Sequence, residues 1–112
     1  MDDEERRQIR SDFRGAVNMG PARLERWLER DESRGSGQKK RGKGESTGHA
    51  SGRRIVDIKR TRTADLTDAD YRHMRKVVGY VGRHLAQRPK GDVRDTTWRY
   101  SLMNWGHDPL RS

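Results

Sequence analysis

Histidine side chains are the first candidates for catalysis or metal binding in this chain of 112 residues, because it contains no cysteine. The four are His49, His73, His84 and His107. None has close-set acid and histidine partners in a known metal-ligand spacing. His73 and His84 lie about three helical turns apart, too far to share one ion. We therefore expect no metal, no cofactor and no enzymatic activity.

One alternative stays open at the C-terminal end, where the sequence reads WGHDP. We expect His107 to be a hydrogen-bonded packing residue. A pocket in which His107, Asp108 and Tyr100 converge would instead favour an enzyme, since such a cluster could transfer protons.

A second group of side chains offers a different chemistry, the binding of phosphate. Arg72, Lys76, Tyr80 and Arg83 fall on one side of a helix. No acid occurs from residue 71 through 91, whereas a solvated helix face normally mixes both signs. We predict that the cations contact phosphates and that Tyr80 is exposed, where it stacks or donates a hydrogen bond. The alternative is that Tyr80 packs under another helix.

The charge of the whole chain supports this interpretation. Lys and Arg number 26 against 17 Asp and Glu, for a net charge of +9. Residues 1–32 hold nine acids and seven bases and sum to −2, so residues 33–112 carry +11. Small proteins this basic most often bind nucleic acid and less often an anionic membrane.

Residues 32–52 are rich in glycine and nearly free of apolar side chains, which predicts a flexible basic linker. We expect a mobile arm that lies along phosphates, with a merely solubilising linker as the alternative. The cations of this arm are Lys39, Lys40, Arg41 and Lys43, and Arg53 and Arg54 directly after the linker are weaker candidates.

The basic residues must be positioned by the longest helical pattern, residues 67–88. Thr67 and Asp70 have the spacing of a capping box, and Pro89 ends the helix. Gly82 lies at the edge of its apolar face, which suggests the close approach of another helix. The predicted apolar face comprises Tyr71, Met74, Val77, Val78, Val81 and Leu85.

The remaining elements complete a single all-α domain of about five helices. Residues 1–31 predict a hairpin of two antiparallel helices, and residues 53–109 a helical C-terminal part that includes the long helix. Residues 53–62 could also form a strand, but no second strand is available to pair with it. Ser51 is the predicted cap of the helix there, and Asp95 that of the last helix. The three tryptophans fall at core spacing and are expected to pack: Trp27, Trp98 and Trp105.

A helix-turn-helix over residues 53–88 would read bases with the first turn of the long helix. That turn carries Asp68 and Asp70, which would repel phosphates. We therefore predict a binder of the backbone with little sequence specificity.

No apolar run approaches the length of a membrane span, and the N-terminus MDDEERR is unlike a signal peptide. Binding at a membrane surface is disfavoured, because the basic helix has no second apolar side to insert. We expect a cytoplasmic protein without a membrane partner, with the nucleoid as one location open to it.

Three segments carry a resemblance to a known family: GHASGRRIVDI, DYRHMRKVVGYVGRHLAQRPKGD and TTWRYSLMNWGHDP. They resemble a family of small bacterial proteins of unknown function whose members are often labelled DNA-binding protein. The resemblance covers about residues 13–110 and implies DNA binding, with no residue roles to transfer. Combined with the charge, it favours a nucleic-acid-binding protein, with duplex DNA ahead of RNA. The alternative is a protein-interaction or RNA- or ribosome-associated module that uses the same basic face.

Overall fold

The computed structural model of the protein describes residues 1–36 and 45–111, and the predicted all-α class is confirmed there. Neither range contains a β-strand, and none of their helices is long and apolar enough to cross a membrane. The 3₁₀ turn Thr63–Asp65 precedes α5. The helices are α1 (Asp3–Ala16), α2 (Pro21–Leu28), α3 (Asp31–Arg34), α4 (Thr47–Arg60), α5 (Asp68–Leu85) and α6 (Thr97–Asn104).

The long helix α5 begins as its sequence predicts. Thr67 Oγ1 accepts the Asp70 N–H at 3.1 Å, and Asp70 Oδ2 accepts the Thr67 N–H at 3.0 Å, which completes a capping box. The helix ends at Leu85, three residues before the predicted end. The chain tightens there, because the Gln87 N–H donates to the carbonyl of His84 instead of continuing the α-helical pattern.

The hairpin predicted for residues 1–31 is wrong. α1 packs chiefly along α5 and α2 chiefly along α4, so the two N-terminal helices belong to different pairs. The connection between them explains the difference. Met19 is fully buried, and its N–H donates to the carbonyl of Gly106 at 3.2 Å. The C-terminal end of α6 therefore holds the connection that was expected to be a tight turn.

The predicted linker at residues 32–52 is also wrong at both of its ends. α3 covers Asp31–Arg34, and α4 begins at Thr47, capped by Ser46 and not by Ser51. Similarly, α6 is capped by Thr96 and not by Asp95. Ser46 Oγ accepts the His49 N–H at 3.1 Å, which supports the first turn of α4.

The linker prediction was wrong because it took glycine as a sign of a loop, whereas two glycines of α4 are sites of close helix packing. A Cβ at Gly52 would lie 2.6 Å from the carbonyl oxygen of Asn104 and 2.7 Å from Leu28 Cδ2. A Cβ at Gly48 would lie 3.1 Å from Trp105 Nε1. At Gly82, where a close approach was expected, nothing lies within 4 Å. The glycines of α4, and not that of α5, let helices meet.

The core lies between the two helix pairs and is closed by α6. The expectation that the three tryptophans pack is confirmed, since Trp27, Trp98 and Trp105 are all buried. Asn104 is buried among them with its hydrogen bonds satisfied. Its Oδ1 accepts Trp27 Nε1 at 2.8 Å and Ser33 Oγ at 2.6 Å, and its Nδ2 donates to the Ser33 carbonyl at 3.1 Å. This amide joins α2, α3 and α6.

Asp108 forms a second polar junction just after α6. Its side chain is 3% exposed and accepts hydrogen bonds from Arg23 Nη2 at 2.5 Å and from Arg99 Nε and Nη2, both at 3.1 Å. Burial by itself would raise the pKa of Asp108, but these bonds and one from the Leu110 N–H lower it to about 2. Its backbone is paired with the side chain of Asn18, so the junction also fixes the connection after α1.

Substitution of Gly52 tests the close packing of α4. We expect Gly52→Ala to lower the free energy of unfolding by about 2 kcal/mol, because the methyl group collides with backbone. Gly82→Ala is the matched control, and there alanine should stabilise the helix by about 0.5 kcal/mol or more. Denaturant titration by circular dichroism measures both. Equal changes in the free energy of unfolding for Gly52→Ala and Gly82→Ala would contradict the close packing at Gly52.

Substitution of Asp108 tests the polar junction through pH. The lowered pKa means that the carboxylate stabilises the fold above about pH 4 and loses this contribution as the pH falls toward about 2. We expect Asp108→Asn to lower the free energy of unfolding by about 2 kcal/mol at pH 7. The difference from wild type should shrink on acidification. Asp95→Asn, at an exposed carboxylate, is the control and should leave the free energy of unfolding close to that of wild type. If the difference between Asp108→Asn and wild type stayed constant down to about pH 2, the Asp108 carboxylate would not be the source of the stability.

Candidate nucleic-acid interface

The outer face of α5 carries three cations that form no ion pair with any described residue. Arg72, Lys76 and Arg83 are all exposed. They lie on the arc of α5 that faces away from α1 and the core, as the helical spacing predicts. The described residues offer them no carboxylate within salt-bridge distance, so their charge is directed at solvent.

Other arginines close to this face are paired. Arg53 donates to Glu45 at 2.5 Å, Arg54 to Asp70 at 3.4 Å, and Arg75 on the α1 side of α5 to Glu5 at 3.2 Å. Exposed pairs of this kind contribute little to stability. Each pair does neutralise the charge of its arginine locally. Arg53 and Arg54 therefore differ from Arg72, Lys76 and Arg83, which have no ion-pair partner among the described residues.

Tyr80 differs from its predicted environment. It is half-buried, with the ring of Trp105 stacked on it at 4.3 Å between centroids and that of His84 at 5.2 Å. Trp105 and His84 are not themselves a stacked pair, so they lie on opposite faces of the tyrosine. Burial raises the pKa of Tyr80, while a hydrogen bond with Ser101 opposes this. The alternative that Tyr80 packs under another helix is the one observed.

Tyr80 is half-buried because of the position of α6. Tyr80 is three residues before Arg83, which places it about 60° around the helix axis from that cation. The apolar residues of α5 predict where its buried side is centred. They do not predict how far around the helix the neighbouring elements bury it. α6 docks on this edge of α5 and brings tryptophan side chains against it.

The covered edge of α5 forms a continuous column of rings. Neighbouring rings in the column are nearly parallel, with interplanar angles of 14–15°. The guanidinium of Arg88 lies over the last ring at 5.6 Å from its centroid. In order, the rings are those of His73, Trp105, Tyr80, His84 and Trp98.

Histidines in this column are structural. Trp98 Nε1 donates to the carbonyl of His84 at 2.8 Å, and His84 Nε2 donates to the carbonyl of Trp98 at 3.1 Å. His73 Nε2 is 2.9 Å from Ser51 Oγ. Burial lowers the pKa of His73, and the nearby positive charges of Arg54 and Lys76 lower it further. A hydrogen bond with Ser51 and the negative charge of Asp70 oppose this shift.

The other two histidines also have structural partners. His49 lies between Glu45 and the carbonyl of Leu28, to which its Nε2 donates at 2.6 Å. His107 Nδ1 donates to the carbonyl of Ala16 at 2.7 Å. Within residues 1–36 and 45–111, no three His, Cys, Asp or Glu side chains are grouped so that they could hold a metal ion.

A cleft of about 510 Å³ opens beside the basic face, between α4, α5 and α6. Lys76 and Arg83 line it from α5, and Thr47 and Gly48 line it from the first turn of α4. Trp105 lies along its wall. No acidic side chain of the described residues lines it. Two of the predicted contact residues thus meet the N-terminus of another helix, where the dipole also favours anions.

The predicted residues are therefore brought together only in part. Lys76 and Arg83 share the cleft, Arg72 extends the same face, and Tyr80 reaches the cleft only as an edge of its wall. The predicted arm lies outside the described residues, namely Lys39, Lys40, Arg41 and Lys43.

Sequence reasoning missed the contributions of α4 and Trp105. Ser46 with the glycines that follow was interpreted as linker, although Ser followed by a helical run of Ile55, Val56 and Ile58 is an available start signal. No sequence signal distinguishes a core tryptophan from one whose indole edge reaches a cleft.

Comparison with protein families matches residues 12–103 to a family described as "Protein of unknown function (DUF3140)". No curated protein and no solved structure matches the chain.

The ring column predicts how Tyr80 responds to substitution. Tyr80→Phe keeps both stacked contacts and loses the Ser101 bond, so the free energy of unfolding should fall by about 1 kcal/mol at most. Tyr80→Ala empties the space between two rings and should cost about 2–3 kcal/mol. Arg72→Ala, at an exposed position of the same helix, is the control and should stay within about 0.5 kcal/mol of wild type. A Tyr80→Ala variant as stable as this control would show that the ring is not held in the column.

Proposed function

We propose that this protein, which belongs to the DUF3140 family, binds nucleic acid, with duplex DNA as its preferred partner, through contacts to phosphate. The observation that carries the proposal is the absence of any ion pair at Arg72, Lys76 and Arg83 among the described residues, in a stretch without acids from residue 71 through 91. Exposed cations that lack carboxylate partners are available to replace the counterions of a polyanion.

The dimensions of this face suit a duplex. Arg72 and Arg83 are eleven residues apart, which corresponds to about 16 Å along the helix axis at 1.5 Å per residue. Duplex DNA carries one charge per about 1.7 Å of its axis, so a helix of this length can span several phosphates.

Contacts to bases have little support. The first turn of α5 carries Asp68, paired with Arg6 at 2.8 Å, and Asp70, paired with Arg54. Recognition helices place their first turn against base edges, where such carboxylates would approach phosphates. The ring of Tyr80 is covered by Trp105 and His84, so it offers no free face for a base. We therefore propose backbone binding with little sequence specificity.

The proposal is tested by the salt dependence of DNA affinity, measured by fluorescence anisotropy with a labelled duplex. If about six phosphates are contacted, log affinity should fall with log salt with a slope of roughly −5. Replacing Arg72, Lys76 and Arg83 together with glutamine should make the slope shallower by about 3, because each contact contributes about 0.9. A wild-type slope near zero would refute the proposal.

Arg75→Gln is the matched control, since it removes one positive charge from the α1 side of α5 and should leave the slope unchanged. The same titration also separates the alternative partners. A structured RNA or an acidic protein that displaces the duplex at much lower concentration would favour an RNA- or protein-binding module on the same face.

A further inference from the structure

One ion pair beside the basic face of α5 is longer than the others. Arg54 Nη2 lies 3.4 Å from Asp70 Oδ1. In the other arginine–carboxylate pairs of the described residues, the salt-bridge distance is 2.5–3.2 Å. The side chain of Arg54 is 44% exposed, so solvent screens the attraction and the pair contributes little to stability. Arg54 is therefore held only weakly by its carboxylate.

Asp70 does not depend on Arg54 for the stability of its charge. Its Oδ2 accepts the Thr67 N–H at 3.0 Å, within the capping box that begins α5. This backbone hydrogen bond is the largest cause of the lowered pKa of Asp70, and the contribution of Arg54 is smaller. The helix dipole also favours a carboxylate in the first turn. Asp70 can therefore release Arg54 and keep its place at the start of α5.

The position of Arg54 follows from the antiparallel packing of α4 against α5. Ser51 Oγ is 2.9 Å from His73 Nε2. Three residues later along α4, Arg54 contacts Asp70, which lies three residues earlier along α5. Lys76 lies three residues after His73 in the other direction. Burial lowers the pKa of His73, and the charges of Arg54 and Lys76 both add to the shift, so the two cations lie close to one ring.

Arg54 thus extends the basic face of α5 toward the N-terminus of that helix. Asp70 and Lys76 are six residues apart, about 9 Å along the axis at 1.5 Å per residue. A duplex presents several phosphates over this length. A guanidinium can bind a phosphate through two parallel hydrogen bonds, whereas Arg54 has one long bond to Asp70. A phosphate at this position is therefore the stronger partner.

We infer that the Arg54–Asp70 ion pair competes internally with nucleic acid for Arg54. In the free protein Asp70 holds Arg54, and in the complex a backbone phosphate displaces Asp70, an exchange that rests on the proposed function. Arg54 then becomes a phosphate contact beside those of the outer face of α5. Asp70 lowers the affinity, because its ion pair must be broken before Arg54 can bind phosphate.

Arg53 provides the matched comparison, since it is adjacent in sequence and carries the same charge. Its Nη2 donates to Glu45 at 2.5 Å, and this bond is the largest cause of the raised pKa of Arg53. The shorter bond holds Arg53 more firmly than Arg54 is held. We therefore expect Arg53 to stay with Glu45 when the duplex binds.

The test measures the duplex affinity of the full chain by fluorescence anisotropy over a range of salt concentrations. Asp70→Asn keeps an acceptor for the Thr67 N–H and removes the charge that holds Arg54. We expect this variant to bind the duplex about two- to fivefold tighter at low salt, which matches the strength of an exposed ion pair. Arg54→Gln should make the slope of log affinity against log salt shallower by about 0.9, whereas Arg53→Gln should leave the slope unchanged.

The double substitution identifies how Asp70 acts. If Asp70 acts by holding Arg54, Asp70→Asn will give no gain in affinity in a chain that already carries Arg54→Gln. A full gain in that background would show that Asp70 only repels phosphates, and would overturn the inference. Asp68→Asn removes the same charge from the same turn, where the carboxylate is paired with Arg6, and should give a smaller gain than Asp70→Asn.

A second variant keeps the test independent of folding. Asp70→Gln places a usual capping-box residue at the same position, so it repeats the measurement if asparagine weakens the start of α5. Circular dichroism checks that each variant is folded before the titration.

The same titrations separate this inference from the proposed function. A salt-dependent duplex affinity that neither Asp70→Asn nor Arg54→Gln changes would overturn the internal competition and keep the proposed function. A duplex affinity without salt dependence would overturn both.

Discussion

The fold depends on a turn of five residues, Asn104 to Asp108, that contacts every helix. Asn104 bonds to Trp27 of α2 and to Ser33 of α3, and its carbonyl lies against Gly52 of α4. The rest of the turn reaches the remaining helices. Trp105 stacks on Tyr80 of α5, Gly106 has a φ of +83° and packs on Val17, and His107 and Asp108 bond to Ala16 and Arg99. A chain with few apolar residues is thus closed by buried hydrogen bonds around one turn as well as by apolar packing.

The same turn determines which surface is left free. Trp105 and α6 cover one edge of α5 and α1 packs along the other, while the arc that bears Arg72, Lys76 and Arg83 remains exposed. Carboxylates near this arc are held by other arginines, as with Asp70 and Arg54. The free charge on α5 therefore results from where the acids are placed, and not only from the number of cations.

Local signals predicted much of this architecture. The capping box of Thr67 and the helical spacing of the core residues of α5 each follow from short-range chemistry. The pairing of helices could not be predicted in this way, because the connection at Met19 is fixed by a hydrogen bond to a residue far along the chain. Gly48 and Gly52 are the clearest case. Glycine in a polar segment indicates a loop unless another helix happens to lie against it.

Tyr80 shows how the same limit affects a functional prediction. A helical wheel locates the centre of the apolar side, but the width of the buried arc depends on the helices that pack on it. Trp105, directly after α6, stacks on Tyr80 and so widens the buried arc. Tyr80 therefore lies in the wall of the cleft and not on the exposed surface. Its role becomes the support of Trp105 at the edge of the cleft. The cations beyond it are exposed, as the helical spacing predicts, because lysine and arginine extend past the covered edge into solvent. An exposed basic face is therefore predictable from the charge pattern, whereas the cleft beside it depends on tertiary packing.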